Sequence, residues 1–161
     1  MKILINDGMH PKGIELLKNA GHEVDTDFIP QNMLATQLNV FDAILVRSAT
    51  QVRKELIDQN PNLKLIGRGG VGLDNIDVEY AKEKNIAVFN TPGASTRSVA
   101  ELAIAHLFGM VRSLPMVNKK MSIDGMTDFK SLKKKASNGI ELQGKTLGLI
   151  GFGRIAKETA S

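Results

Sequence analysis

The segment Lys2–Asp27, KILINDGMHPKGIELLKNAGHEVDTD, carries the pattern that decides the fold. It opens with a short apolar run, KILIN (Lys2–Asn6), and closes with HEVDTD (His22–Asp27), and we interpret both as strands. The intervening PKGIELLKNAG is typical of an amphipathic helix, with Pro11 suited to its first turn and Gly21 suited to its end. The segment therefore predicts a strand, a helix and a second strand.

The same alternation continues through the first part of the chain. Further strands are predicted for AILV (Ala43–Val46), LKLIG (Leu63–Gly67) and IAVF (Ile86–Phe89), and a further amphipathic helix for Asn75–Asn85. Strands separated by helix-length segments indicate βαβ units, whose strands run parallel and whose helices cover the sheet. We therefore predict an α/β fold, a doubly wound parallel sheet of the flavodoxin-like kind.

After Pro92 the pattern changes to that of one long helix. Ser98 and Glu101 stand at capping-box spacing, and apolar residues recur at helical spacing until Pro115, where we predict that the helix ends. This apolar stripe consists of Val99, Leu102, Ala103, His106, Leu107, Met110, Val111 and Leu114. A polar, lysine-rich connector follows, and LGLIG (Leu147–Gly151) predicts a sixth strand. We therefore expect a complete doubly wound unit, followed after about residue 92 by the first part of a second domain.

The composition is that of a globular protein, with 42% hydrophobic and 24% charged residues among 161. The chain has no cysteine, which excludes a disulfide framework and suits a reducing cytoplasm. No apolar run is long enough to predict a membrane span. The net charge of +4 comes from lysines and arginines in residues 93–161, but few aromatic residues accompany them. We therefore predict a cytoplasmic protein that binds neither nucleic acid nor membrane.

Polar and glycine-rich segments follow three of the predicted strands. VRSAT places Arg47 and Ser48 after the third strand, GRGGVGLDNID follows the fourth, and NTPGAS places Asn90 and Thr91 after the fifth. In a parallel sheet, ligands bind beyond the carboxyl ends of the strands. A guanidinium, a hydroxyl and closely spaced glycine N–H groups suit a small anion. The sequence therefore predicts an anion site at this edge.

The end of the sequence, TLGLIGFGRIAKETAS, has the spacing of a dinucleotide-binding turn. Gly151, Gly153 and Ala156 fall on a G-x-G-x-x-G/A pattern between a predicted strand and a predicted helix. The acidic residue that usually holds the ribose would come about 20 positions later, after Ser161. The pattern favours part of a pyrophosphate site.

The three histidines give no acid–base pair by sequence. His10 and His22 flank the first predicted helix, and His106 falls on the apolar stripe. None can be matched with a carboxylate. We therefore predict no catalytic residue and no metal site within these 161 residues.

Taken in order, these motifs resemble the NAD-dependent D-isomer-specific 2-hydroxyacid dehydrogenases. The resemblance runs through VRSAT, GRGGVGLDNID, NTPGASTRSVAEL and ELQGKTLGLIGFGRIAKE, and so covers essentially the whole chain. It implies a substrate-binding domain over residues 1–92 and the start of a truncated nucleotide-binding Rossmann domain over residues 93–161. It also implies a small anionic 2-hydroxy acid as substrate, NAD as cofactor and a homodimer. Arg47 after Val46 looks more like the phosphoglycerate branch than the lactate or formate branches.

The resemblance also implies roles for individual residues. Those expected to bind the substrate are Arg47, Ser48, Gly70, Gly72 and Asn90. Those expected to contact NAD are Val71 and, at the pyrophosphate, Gly151, Gly153, Arg154 and Ile155. The family's catalytic arginine, glutamate and histidine have no matching position here, so we expect the chain to be inactive by itself. Alternatives are a glyoxylate or hydroxypyruvate reductase of the same family, or a non-catalytic module that senses a hydroxy acid.

Overall fold

A computed structural model describes all residues, 1–161, as two compact units, Met1–Ala94 and Ser95–Ser161. The first unit contains a five-stranded sheet, four α-helices and a short 3₁₀ helix, Leu38–Val40. Its strands are β1 (Lys2–Ile5), β2 (Glu23–Asp25), β3 (Ala43–Val46), β4 (Leu65–Arg68) and β5 (Ala87–Asn90). Its helices are α1 (Pro11–Asn19), α2 (Gln31–Gln37), α3 (Lys54–Asp58) and α4 (Val78–Glu83). The predicted α/β fold is confirmed.

All strands are parallel, in the order β2-β1-β3-β4-β5. This is the flavodoxin-like order, in which the chain changes direction across the sheet between β1 and β3. Along β3, Val46 is in register with Arg68 of β4, which in turn is in register with Asn90 of β5. The carboxyl ends of these strands therefore form one edge, which we call the carboxyl edge.

The strands are buried on alternate faces because successive side chains point to opposite sides of a sheet. Leu4, Ile44 and Ile66 face a large core that α2, α3 and α4 complete. On the other face, Ile5 and Leu45 belong to a smaller cluster that includes Ile14 and Leu17 of α1 but no residue of the other helices. That second face is therefore only partly covered, and Phe89 of β5 is 46% exposed there.

The second unit is helical. Its helices are α5 (Thr96–Val111), α6 (Leu114–Asp124), α7 (Phe129–Ala136) and α8 (Arg154–Ala160), with α8 packed against α5. Only Ala100 and Leu132 are fully buried in it. No single helix has the length and apolar content to cross a membrane; α5 and α6 reach both only as a pair, bent by 59°.

Three predictions for the second unit are wrong. The long helix begins at Thr96, with Ser95 and not Ser98 at the capping position, and Ser95 makes no side-chain cap. It breaks at Ser113, whose φ of 52° lies in the left-handed region. Pro115 does not end a helix but lies in the first turn of α6, where its missing N–H leaves no helical hydrogen bond unmade.

The predicted sixth strand, Leu147–Gly151, is also not formed. The segment has strand-like residues, but a strand needs a neighbour for its backbone hydrogen bonds, and the second unit contains no other strand. Ile150 is fully exposed as a result. The stripe on α5 is likewise not buried, since Leu102 and Met110 are more than half exposed and the buried residue of α5 is Ala100.

Candidate functional site

The structure brings the predicted substrate-binding residues together at the carboxyl edge. Arg47 and Ser48 follow β3, residues 69–72 with their three glycines follow β4, and Asn90 ends β5. Because β3, β4 and β5 are neighbours in register, these segments lie side by side. We call residues 47–50 the arginine loop and residues 69–72 the glycine loop.

An open cavity of about 830 Å³ lies beside these loops. Ile5, Leu45 and Phe89 line its apolar part, and Arg47, Arg68 and Thr91 are among the polar residues that line it. Gly67 is required by packing here, because a Cβ at this position would lie 2.5 Å from the Phe89 ring and 2.6 Å from Leu45. The cavity is of the size that holds a small ligand.

The arginine loop is held by Asp7, which follows β1. One Asp7 carboxylate oxygen accepts hydrogen bonds from the N–H of Arg47 at 2.7 Å and of Thr50 at 3.1 Å, and the other accepts one from the Thr50 hydroxyl. Burial raises the pKa of the Asp7 carboxyl, but the hydrogen bonds from Thr50, Arg47 and Ala49 outweigh burial and lower the pKa below its usual value. Asp7 is therefore an anion at neutral pH.

Two buried asparagines support the same loop. Asn6 donates from Nδ2 to the Thr50 hydroxyl at 2.8 Å and to the Ile29 carbonyl at 3.1 Å. Asn75 donates from Nδ2 to the carbonyls of Arg47 at 2.9 Å and Thr50 at 2.6 Å. The Asn75 Oδ1 atom is buried and accepts no hydrogen bond. The backbone of the arginine loop is thus fixed from both β1 and the segment after the glycine loop.

The glycine loop is held by its neighbours on β4 and β5. Thr91 donates its N–H to the Gly70 carbonyl at 3.0 Å, and Asn90 donates from Nδ2 to the Val71 carbonyl at 2.5 Å. Asn90 thus has its amide engaged by the loop itself. The amide N–H groups of Val71 and Gly72 donate to no acceptor in the chain, so they are free for a ligand.

An ion pair closes the end of the glycine loop. The Arg68 guanidinium donates to the Asp74 carboxylate at 2.5 Å, and this hydrogen bond, with the charge of Arg68, lowers the pKa of Asp74. A Cβ at Gly72 would lie 2.8 Å from the same carboxylate, so a larger residue there would displace it. Arg68 is paired by this contact, but its buried Nε atom donates to no acceptor.

Arg47 is the cation that this arrangement leaves available. Its guanidinium makes no hydrogen bond or ion pair within the chain, whereas Arg68 pairs with Asp74 and Arg53 pairs with Asp77. The side chain of Ser48 also has no partner, and it is exposed. A free guanidinium can bind a carboxylate or a phosphate, and the two free amide N–H groups belong to the neighbouring glycine loop, although Val71 and Gly72 do not themselves line the cavity.

Sequence reasoning missed the residues that shape this site. Asp7, Thr50 and Asn75 were not among the predicted site residues, although Asp7 and Thr50 also lie at the carboxyl edge. A signal was available for Asp7, since an acid directly after a predicted strand is a strand-end residue like Arg47. That Asp7 contacts the arginine loop could not be predicted without knowing the strand order.

The predicted cofactor turn lies in the second unit. Gly151 has a φ of 86°, a conformation that favours glycine, and Gly153 is the N-terminal capping residue of α8. Arg154 and Ile155 are the first residues of that helix. First-turn N–H groups have no acceptor within the helix, so they suit the pyrophosphate part of NAD. Of the predicted motif, the turn and the helix are formed and the preceding strand is not.

The histidines have no carboxylate partner in the structure either. His10 caps α1 by accepting the N–H of Lys12 at Nδ1, and His22 lies 3.5 Å from the amino terminus. His106 is exposed on α5 and makes no hydrogen bond. None of them forms the acid–base pair that proton transfer would require.

The parallel sheet and its strand order define a class, the doubly wound α/β proteins. The profile of the family described as D-isomer specific 2-hydroxyacid dehydrogenase, catalytic domain, matches residues 3–159. The chain belongs to this family.

Two characterised relatives have the same level of similarity. The chain is 42% identical to hydroxypyruvate reductase of Thermotoga maritima over 160 residues, which is 99% of this chain and 50% of that protein. It is also 42% identical to D-3-phosphoglycerate dehydrogenase of Methanocaldococcus jannaschii over 159 residues, 98% of this chain and 29% of that protein. The chain therefore spans half or less of the length of these relatives.

Solved structures show the same fold. The crystal structure of the TT0316 protein from Thermus thermophilus superposes with a TM-score of 0.83 at 30% identity, over 99% of this chain and 51% of that one. NAD-dependent formate dehydrogenase from Staphylococcus aureus, in complex with NAD, superposes with a TM-score of 0.77 at 31% identity, over 99% and 52%.

Proposed function

We propose that this chain is the hydroxy-acid-binding part of an NAD-dependent D-2-hydroxyacid dehydrogenase. The observation that carries the proposal is the unpaired Arg47 guanidinium at the carboxyl edge, together with the free N–H groups of Val71 and Gly72. A small acid needs one charged group to neutralise its carboxylate and oriented donors to fix its position.

Each predicted residue has a part in this proposal. Arg47 and the hydroxyl of Ser48 bind the acid group, while Gly70 and Gly72 keep the backbone of the glycine loop accessible. Asn90 holds that loop through the Val71 carbonyl. Val71 contacts NAD, and the backbone of Gly151, Gly153, Arg154 and Ile155 meets its pyrophosphate. NAD, when bound, accepts the hydride from the substrate carbon.

Two substrates are favoured. We infer 3-phosphoglycerate first, because Arg47 after Val46 resembles the phosphoglycerate enzymes and the Methanocaldococcus jannaschii relative carries that name. Hydroxypyruvate is the second candidate, because the equally similar Thermotoga maritima relative is a hydroxypyruvate reductase. Titration of the chain with each compound, followed by calorimetry with and without NAD, ranks them.

The test of the site itself is Arg47→Ala. Loss of a charged, forked donor should weaken binding of the preferred acid by roughly tenfold or more, the equivalent of about 1.5–3 kcal/mol. Lys18→Ala, which removes the same charge from the last turn of α1, is the matched control and should leave the affinity unchanged. Equal binding by wild type and Arg47→Ala would refute the site.

We also propose that the chain does not turn over its substrate alone and that it self-associates. We infer the lack of turnover because none of the histidines is paired with a carboxylate. A steady-state assay with 3-phosphoglycerate and NAD should therefore show no turnover. We infer self-association because apolar residues of the helical unit, such as Met110 and Ile150, are exposed. Light scattering should give the mass of a homodimer, and a monomer would contradict this. Acid binding without NAD would favour a sensing module.

A further inference from the structure

We propose that Asp7 is a positioning residue for the anion site, acting through the arginine loop. This inference rests on the proposed function, because it concerns the affinity of the same site. It starts from an apparent conflict, since Asp7 is an anion that lines the cavity in which an anion is expected to bind. By charge alone, an acid at this position opposes its own ligand.

The hydrogen bonds of Asp7 account for its presence. The Asp7 carboxylate accepts hydrogen bonds from the arginine loop, where a weaker one from the Ala49 backbone accompanies the three from Arg47 and Thr50. These two residues are the first and the last of the arginine loop, so Asp7 closes the loop on itself. A carboxylate is the one side chain that accepts from all these donors and donates to none of them.

The surroundings show that this contact is specific to the loop. Thr50 is 3% exposed, and its hydroxyl donates to Asp7 while accepting from Asn6. The carbonyls at both ends of the loop are bound by Asn75. With its backbone thus fixed at residues 47 and 50, the loop holds the backbone of Arg47 in one position beside the cavity that this residue lines.

Positioning and plain electrostatics predict opposite results for Asp7→Asn. Removing a negative charge several ångströms from a bound anion would tighten binding by roughly twofold to threefold through the Coulomb interaction alone. Loss of the charged acceptor instead loosens the loop and should weaken binding by about threefold to tenfold, because an amide oxygen replaces a carboxylate for only part of the donor set. Whether Asp7→Asn binds the acid more weakly or more tightly than wild type therefore decides between positioning and electrostatic repulsion.

The experiment titrates 3-phosphoglycerate and hydroxypyruvate into the full chain and follows binding by calorimetry. Wild type is compared with Asp7→Asn and with Glu15→Gln, which removes the same charge from an exposed position on α1. Thr50→Val keeps the charge of Asp7 but removes one donor, and should weaken binding in the same direction. In an Arg47→Ala background, Asp7→Asn should have no further effect, since Asp7 acts through that residue.

A second measurement needs no ligand. Hydrogen exchange of the Arg47 and Thr50 amides should be faster in Asp7→Asn than in wild type, and unchanged in Glu15→Gln. Unchanged or tighter anion binding by Asp7→Asn, with a folded circular dichroism spectrum, overturns the inference and leaves the proposed function standing. If wild type binds neither acid, the proposed function fails and the inference fails with it. If Asp7→Asn does not fold, Thr50→Val decides.

Discussion

Replacing Asn75 by alanine should destabilise the first unit, because this side chain joins the arginine loop to the segment after the glycine loop. Asn75 is 1% exposed and donates from Nδ2 to the carbonyls of Arg47 and Thr50. Asn75→Ala leaves both carbonyl oxygens without this donor, which costs about 1–3 kcal/mol for each that stays unsatisfied.

Part of this loss of stability is offset because the substitution also removes the amide oxygen of Asn75. The Asn75 Oδ1 atom is buried without a donor, so removing it returns about 1–3 kcal/mol of desolvation. The net loss is therefore the cost of about one unsatisfied buried carbonyl, roughly 1–3 kcal/mol. For a urea dependence of about 1–3 kcal/mol per molar, the unfolding midpoint should fall by roughly 1 M.

Asn75→Asp should be more destabilising than Asn75→Ala at neutral pH. It would place a buried carboxylate against two carbonyl oxygens, so the pKa of the introduced carboxyl would be raised in the folded state. The folded state then binds a proton more tightly than the unfolded state does, and stability falls as pH rises through the unfolded value of about 3.9 toward the folded one. The additional loss of stability in Asn75→Asp, relative to Asn75→Ala, should therefore be smaller at acid pH.

Tyrosine fluorescence is a suitable assay, because Tyr80 is the only tyrosine, lies in the first unit, and the chain has no tryptophan. Asn32→Ala, at an exposed position of α2 without a hydrogen bond, is the control and should change the free energy of unfolding by less than about 0.5 kcal/mol. The reasoning is refuted if Asn75→Ala behaves like this control, or if Asn75→Asp is no worse than Asn75→Ala at pH 7.

Three further outcomes are expected. Ile44→Ala, at a fully buried position of the central strand, should cost about 2–5 kcal/mol in urea unfolding, and a value under about 1 kcal/mol would contradict the packing described. Gly67→Ala should cost about 1–3 kcal/mol because its Cβ meets the Phe89 ring, and the cost should be smaller in a Phe89→Ala background. Asp7 contributes stability above its usual pKa of 3.8, and this is lost as pH falls through its lowered folded pKa. The stability difference between wild type and Asp7→Asn should accordingly narrow in acid, which urea midpoints at several pH values can measure.

The first unit could be predicted from sequence because its strands carry their own signal. Ala43–Val46 forms the strand that was predicted for it, to the residue, since this apolar run is buried along its whole length. The other strands differ from prediction by one or two residues at an end. β2, for example, is Glu23–Asp25 within the predicted His22–Asp27, because it pairs with β1 over only three positions.

The second unit could not be predicted in the same way, because the wrong predictions concern structure that depends on neighbouring segments. Leu147–Gly151 has strand residues, yet no neighbour within the chain offers it backbone hydrogen bonds. The break at Ser113 gives no strong sequence signal, since Ser113 is neither glycine nor asparagine, the residues that usually adopt a positive φ. Residue propensity and spacing describe one segment by itself. Whether a strand forms or a helix breaks here depends on which other segments pack against it.

The candidate site shows the same division. Arg47, the glycine loop and Asn90 were expected together because each follows a strand, and adjacent parallel strands end at one edge. The contact between Asp7 and Arg47 spans 40 residues and requires β1 to lie directly beside β3, with β2 on the outside. The 2-1-3-4-5 order provides this arrangement, because the chain reverses its direction across the sheet at this point. The reversal leaves the ends of β1 and β3 side by side with their helices on opposite faces, so that an acid from one strand can hold the loop of the other. The ligand-binding position of the fold and the position of its supporting acid thus have the same topological cause.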